Sequence, residues 1–73
     1  MPSQAIQSRV IRWVSFEEGK GLTVEFVGGN RYRYAVAPFR EWLNMVNSRD
    51  CVRYYNEKIK GNYVSEKLLP GQA

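Results

Sequence analysis

The sequence predicts an α+β fold: a three-stranded antiparallel β-meander followed by two α-helices packed on one face (β-β-β-α-α). Three observations predict it. Residues 22–27 (LTVEFV) and 31–36 (RYRYAV) alternate apolar and polar types, the period of a half-buried strand. Glycine-rich turns separate the apolar runs. Beyond Pro38 the period changes: Phe39, Trp42, Leu43 and Val46 fall at i, i+3, i+4 and i+7, one face of a helix.

The first strand is expected over 9–16 (RVIRWVSF), rich in β-branched and aromatic residues. Ile11, Trp13 and Ser15 lie on one of its faces and Val10, Arg12, Val14 and Phe16 on the other. Large apolar groups on both faces imply a bulge that switches the face midway, or cover on both sides of the sheet. Glu17 to Gly21 form a turn. For the second hairpin, a two-residue turn at Gly28-Gly29 sets Val24 opposite Arg33 and Phe26 opposite Arg31. A three-residue loop over Gly28, Gly29 and Asn30 pairs Phe26 with Tyr32, Val24 with Tyr34, Leu22 with Val36 and, on the other face, Glu25 with Arg33. The second register keeps charge off the apolar face and is expected.

Pro38 suits the first position of a helix. Asn47 and Ser48 break that helix, and Ser48 or Asp50 can cap the next one. In the second helix Val52, Tyr55 and Ile59 share a face, Cys51 lies beside it, and Gly61 follows Lys58 and Lys60 at its end. The expected core is Leu22, Val24, Phe26, Tyr34, Phe39, Trp42, Leu43, Val46, Val52, Tyr55 and Ile59. Residues 1–8 are expected to be a flexible lead-in, 9–69 the single domain, and 70–73 a flexible tail.

A chain of 73 residues has room for one core and not for a second domain. With 44% apolar and 25% charged residues it has the composition of a globular protein. The lone Cys51 forms no internal disulfide, which fits a cytoplasmic protein. Residues 1–8 do not read as a signal peptide, and no apolar run approaches the roughly 18 residues of a membrane span. The net charge of +4 is compatible with nucleic acid, an acidic protein or an anionic surface as partner.

The chemistry of catalysis is missing from the pattern. There is no histidine, and the acids are scattered. Cys51 has no base near it in sequence, and a small core residue is the simpler account of it. Gly28-Gly29-Asn30 lacks the lysine and the helix start of a phosphate loop. No enzyme activity, metal or cofactor is expected.

Two surfaces remain. Arg31-Tyr32-Arg33-Tyr34 interleaves cations with aromatics, as single-stranded nucleic-acid binders do. The hairpin register, however, turns both tyrosines toward the core and the arginines outward. The second surface is the basic series Arg49, Arg53, Lys58, Lys60 and Lys67; Arg49 and Arg53 are four apart and share a face if both are helical. Solvated helix surface is the plainer account of these cations.

The ordered residues resemble the KTSC domain family, a module found alone in bacterial and phage proteins and at the C-terminus of some lysyl-tRNA synthetases. Ser8 matches the serine that opens the family's first strand. Leu22, Val24 and Phe26 match its L-x-V-x-F strand, and Tyr32 and Tyr34 its Y-x-Y. Ala37-Pro38 stands where the family has valine-proline. Ser48 matches the serine at the second helix, Asn56 and Ile59 its N-x-x-I, and Tyr63 the tyrosine that follows. The chain departs from the pattern at Asp50, where a glycine is common, and at Phe16, which sits one residue out of step. The resemblance implies no established activity; the fusion to a synthetase makes RNA the expected partner. Together these readings give a non-enzymatic module that binds RNA through Arg31, Arg33, Arg49, Arg53, Lys58 and Lys60. The alternative is a protein-interaction module, an adaptor or a small phage-type inhibitor, using Trp13 with an arginine rim. A monomer or a weak homodimer is expected, away from membranes.

Overall fold

A computed structural model describes the backbone of residues 3–5 and the whole of residues 9–68. Strands β1 (Ser3–Ala5), β2 (Ile11–Glu17), β3 (Gly21–Phe26), β4 (Arg31–Tyr34) and β5 (Glu66–Leu68) form one antiparallel sheet in the order β1-β2-β3-β4-β5. Helix α1 (Phe39–Asn47) and helix α2 (Cys51–Tyr54), which runs on into a π-helical turn (Tyr55–Ile59), stand between β4 and β5 in sequence. The α+β class is as the sequence predicts, but the sheet gains a strand at each edge. The three residues of the lead-in that are described pair with β2 as β1. Residues 1–2, 6–8 and 69–73, which include Ser8 and the tail 70–73, lie outside the described residues.

The first strand resolves its two-faced pattern with a bulge. The β2–β3 register shifts between Ile11 and Trp13. Ile11 therefore reaches the helix-covered face on one side of the bulge, and Val14 and Phe16 reach it on the other, with Ile11 and Val14 fully buried.

The second hairpin corrects the expected register. Leu22 pairs with Tyr34, Val24 with Tyr32 and Glu25 with Arg31. The loop has three residues, but they are Val27, Gly28 and Gly29: the Phe26 amide donates to the Asn30 carbonyl at 2.8 Å. Gly28 and Gly29 have φ of +107° and +96°, a region costly for residues with a Cβ, and this places the turn on the two glycines ahead of Asn30. The pairing moves by two residues, so the faces are unchanged. Leu22, Val24, Tyr32 and Tyr34 still face the helices, and Arg31 and Arg33 still face away.

Helix α1 corrects the expected core. Met45 is fully buried, whereas Phe39 and Leu43 are 44% and 43% exposed. Trp42 and Val46 are half-buried and pack on the core. The helix is where the spacing puts it, but rolled so that the Trp42–Met45 side faces inward. Trp42 Nε1 donates to the Val14 carbonyl at 3.1 Å, tying that side to β2. Pro38 is the N-cap and not the first helical residue. Asp50 caps α2 by accepting from the Arg53 amide at 3.0 Å, while Ser48 bonds the Asp50 backbone in the preceding turn. Of the expected core, Leu22, Val24, Tyr34, Tyr55 and Ile59 are buried, and Phe26 and Val52 pack against them.

Candidate functional site

Strand and helix meet at one cleft of about 450 Å³, which three of the family-like positions, Tyr32, Tyr34 and Asn56, line. One wall is strand, Phe26 of β3 with Tyr32 and Tyr34 of β4; the other is helix, Val52, Tyr55 and Asn56. Its rim carries Asn30, Lys60 and Ser65. The alternation of β4 delivers both tyrosines to this side. Tyr34 is buried and Tyr32 only half so; Tyr32 lies two residues nearer the Val27–Gly29 loop.

The aromatic wall is rigid. Phe26 packs edge-to-face on Tyr32 at 5.7 Å and on Tyr55 at 5.4 Å, and Tyr55 meets Tyr34 at 6.0 Å in the same manner. The Tyr34 and Tyr55 hydroxyls hydrogen-bond to each other at the base of this cluster. Burial, and then the bond to Tyr55, hold the Tyr34 hydroxyl well above the usual tyrosine range, so it stays protonated.

The π-helical turn shapes the opposite wall. The Lys60 amide donates to the Tyr55 carbonyl at 2.8 Å, five residues back. Such widened turns recur at functional sites. Here Tyr55 and Ile59 point inward while Asn56 and Lys60 stay exposed on the cleft side. Among the described residues no carboxylate lines the cleft.

The chain after the π turn is fastened by a group that sequence reasoning missed. Glu41 of α1 accepts hydrogen bonds from Tyr54 at 2.5 Å and from Tyr63 at 2.8 Å. Burial, then the bond to Glu41, raises the Tyr54 hydroxyl; for Tyr63 the bond to Glu41 is the larger cause. Glu41 looked like one scattered acid because its two partners are 13 and 22 residues away in sequence. Ser65 was missed for a similar reason: it lies in a segment with no periodic signal.

The basic residues proposed for nucleic acid do not form one surface. Arg31 and Arg33 lie on the sheet face turned away from the helices, and Arg31 Nε is 3.8 Å from Glu25 Oε1. Arg53 is exposed on α2 with its Nε 3.1 Å from Glu57 Oε2. Arg49 precedes the Asp50 cap, so it does not share a helical face with Arg53. Lys58 and Lys60 are exposed on and after the π turn. Trp13 is half-buried on the far face of the sheet, in a hollow of about 210 Å³ shared with Thr23, Arg31, Arg33 and Leu68.

Of the family-like positions, Tyr32 and Asn56 line the cleft, Tyr34 floors it, Ile59 is core, Tyr63 holds Glu41, and Pro38 and Ser48 shape helix ends. Cys51 is half-buried; burial and then the nearby Asp50 charge push its thiol up to about 11, which leaves almost no thiolate at neutral pH. Among the described residues no cluster of His, Cys, Asp or Glu has metal-binding geometry, and no helix is long and apolar enough to cross a membrane.

A family model described as the KTSC domain matches residues 7–63. The fold is similar to a crystal structure of a KTSC domain protein from Yersinia pestis, with a TM-score of 0.82 at 23% identity over 93% of this chain and 97% of that one. That likeness concerns the fold. No curated protein matches the chain.

Proposed function

Because the chain belongs to the KTSC domain family, and because its family-like Tyr32, Tyr34 and Asn56 line an aromatic cleft with no acid among its described residues, we propose that it is a non-enzymatic module that binds single-stranded RNA in the cytoplasm. The observation that carries this is the composition of the cleft: aromatic wall, side-chain amides and the Lys60 ammonium in one place. Aromatic faces stack on unpaired bases, and cations along the rim neutralise phosphates. In this proposal Lys58 and Lys60 make the main phosphate contacts, with Arg49 and Arg53 along the same strand. Arg31 and Arg33, on the other face of the sheet, contribute long-range attraction only.

The test is a fluorescence-anisotropy titration with short unstructured RNA at three salt concentrations. With about four phosphate contacts, the log–log slope of affinity against salt should be about −3. No binding below about 100 μM at low salt overturns the proposal, since non-specific electrostatic binding already falls in that range.

One observation favours a second reading, a protein-interaction module. Phe39 and Leu43 are exposed on the outer side of α1, and Phe39 stacks on Trp42 and meets Phe16 edge-on. This aromatic patch, and not Trp13, is the better anchor for a protein partner. Such a complex would show weak salt dependence and lose most of its affinity on Phe39→Ala.

A further inference from the structure

The structure assigns to the cleft between β4 and the π turn, we infer, a single unstacked nucleotide, its base against Tyr32 and its phosphate at Lys60. The inference rests on the proposed RNA binding and deepens it, because it makes one nucleotide the recognition unit and not a run of backbone.

The cleft's volume, about 450 Å³, falls in the range of small-ligand pockets and leaves room for one nucleotide. Its floor cannot collapse to fill the space. Phe26, Tyr34 and Tyr55 are locked edge-to-face, and the Tyr34–Tyr55 hydroxyl pair pins the two elements together. Tyr32 is held by Phe26 on one side but remains half exposed toward the cleft, so its ring is a preorganised stacking surface. The polar groups at the rim suit a base edge. The Asn30 and Asn56 amides each both donate and accept, as the Watson–Crick edge of a base requires, beside a Ser65 hydroxyl that bonds Tyr34. The charge is one-sided: among the described residues of the lining, Lys60 carries the charge opposite to phosphate and no carboxylate opposes it. A neutral aromatic ligand would leave Lys60 unused, and a cationic one would be repelled.

The full chain is titrated with each of the four ribonucleoside 5′-monophosphates, and separately with inorganic phosphate, while backbone amide NMR signals are followed. The same ligands then compete with a fluorescein-labelled oligouridylate in anisotropy. The expected result is millimolar binding of at least one monophosphate, shifts centred on Tyr32, Asn56 and Lys60, and displacement of the labelled RNA, none of which phosphate reproduces at equal concentration. Asn56→Ala and Lys60→Ala, both at exposed positions, should each weaken the monophosphate about three- to tenfold. Lys60→Ala should in addition make the salt slope for RNA shallower by about 0.7, and Asn56→Ala should leave that slope alone. If the labelled RNA binds but no monophosphate displaces it or shifts the cleft, the single-nucleotide site is wrong and the RNA reading stands on phosphate contacts alone. If phosphate reproduces the shifts, the site is an anion site without base recognition, and the inference is again overturned. If neither RNA nor monophosphate binds, both readings fall together.

Discussion

The two faces of the sheet come from the same residues taken alternately, yet they do different work. On the helix-covered face Leu22, Val24 and Tyr34 are buried beneath Met45, Tyr55 and Ile59. On the far face Thr23, Arg31 and Arg33 line a hollow with Trp13, Ser15 and Leu68. Within four residues of β4, the tyrosines go to the first and the arginines to the second. The difference teaches where stability and where adaptability reside. Most burial lies on the helix-covered side, where changes act on folding; the other side buries only Ser15 and Leu68 beside partly covered arginines.

The sharpest way to break that comparison is on α1. Met45→Ala on the inward side should destabilise the domain by about 2–5 kcal/mol, close to the whole stability of so small a chain. Leu43→Ala, two residues earlier and 43% exposed, should cost less than about 1 kcal/mol. Urea denaturation of both variants measures this, and equal losses would mean that α1 is rolled the other way.

A smaller effect tests the polar part of the buried face. Tyr34→Phe keeps the ring and removes one hydroxyl of the Tyr34–Tyr55 pair, leaving the other without its partner. A loss of about 1–3 kcal/mol is expected in the same denaturation assay. A neutral result would show that the pair is not closed to water.

The smallest effect belongs to the open face. Arg31→Ala removes a long 3.8 Å ion pair to Glu25 between partly exposed side chains. The midpoint of thermal unfolding should move by no more than about 0.5 kcal/mol equivalent. A larger loss would mean that this face is a second core rather than a surface.

Much of the candidate site was visible before any coordinates. Tyr32 and Tyr34 are singled out by alternation and by the resemblance to the family, Asn56 by the resemblance, and Lys60 by the basic series on and after the second helix. Arg49 and Arg53 were grouped by a spacing of four that means nothing once Asp50 ends the turn before α2. Arg31 and Arg33 stand out by interleaving with tyrosines, and in a strand that same alternation puts the arginines and the tyrosines on opposite sides. Asn30 and Ser65 carry no pattern, and they reach the cleft only because the hairpin and the segment after the π turn end beside it.

By itself the sequence determined the three central strands, the two helices after them and the two sides of those strands, because a period of two or 3.6 is a local property of the backbone; the edge strands Ser3–Ala5 and Glu66–Leu68 are too short to show a period. It also determined that a three-residue loop with Gly28 and Gly29 closes the second hairpin. Tertiary structure decided the rest. An offset of two residues in the hairpin preserves every face and is therefore invisible to an argument from faces; the backbone angles of the two glycines settle it. The bulge at Arg12 depends on which groups of β2 meet a neighbour's core side. On α1, the stripes through Leu43 and through Met45 share Trp42 and Val46, so periodicity alone cannot separate them. The choice is made by contacts remote in sequence: Trp42 reaches the Val14 carbonyl, and Tyr54 and Tyr63 draw Glu41 to the inner side. Those bonds exist only once the sheet and both helices are assembled, which is why they decide the roll of the helix and leave no trace in its own residues.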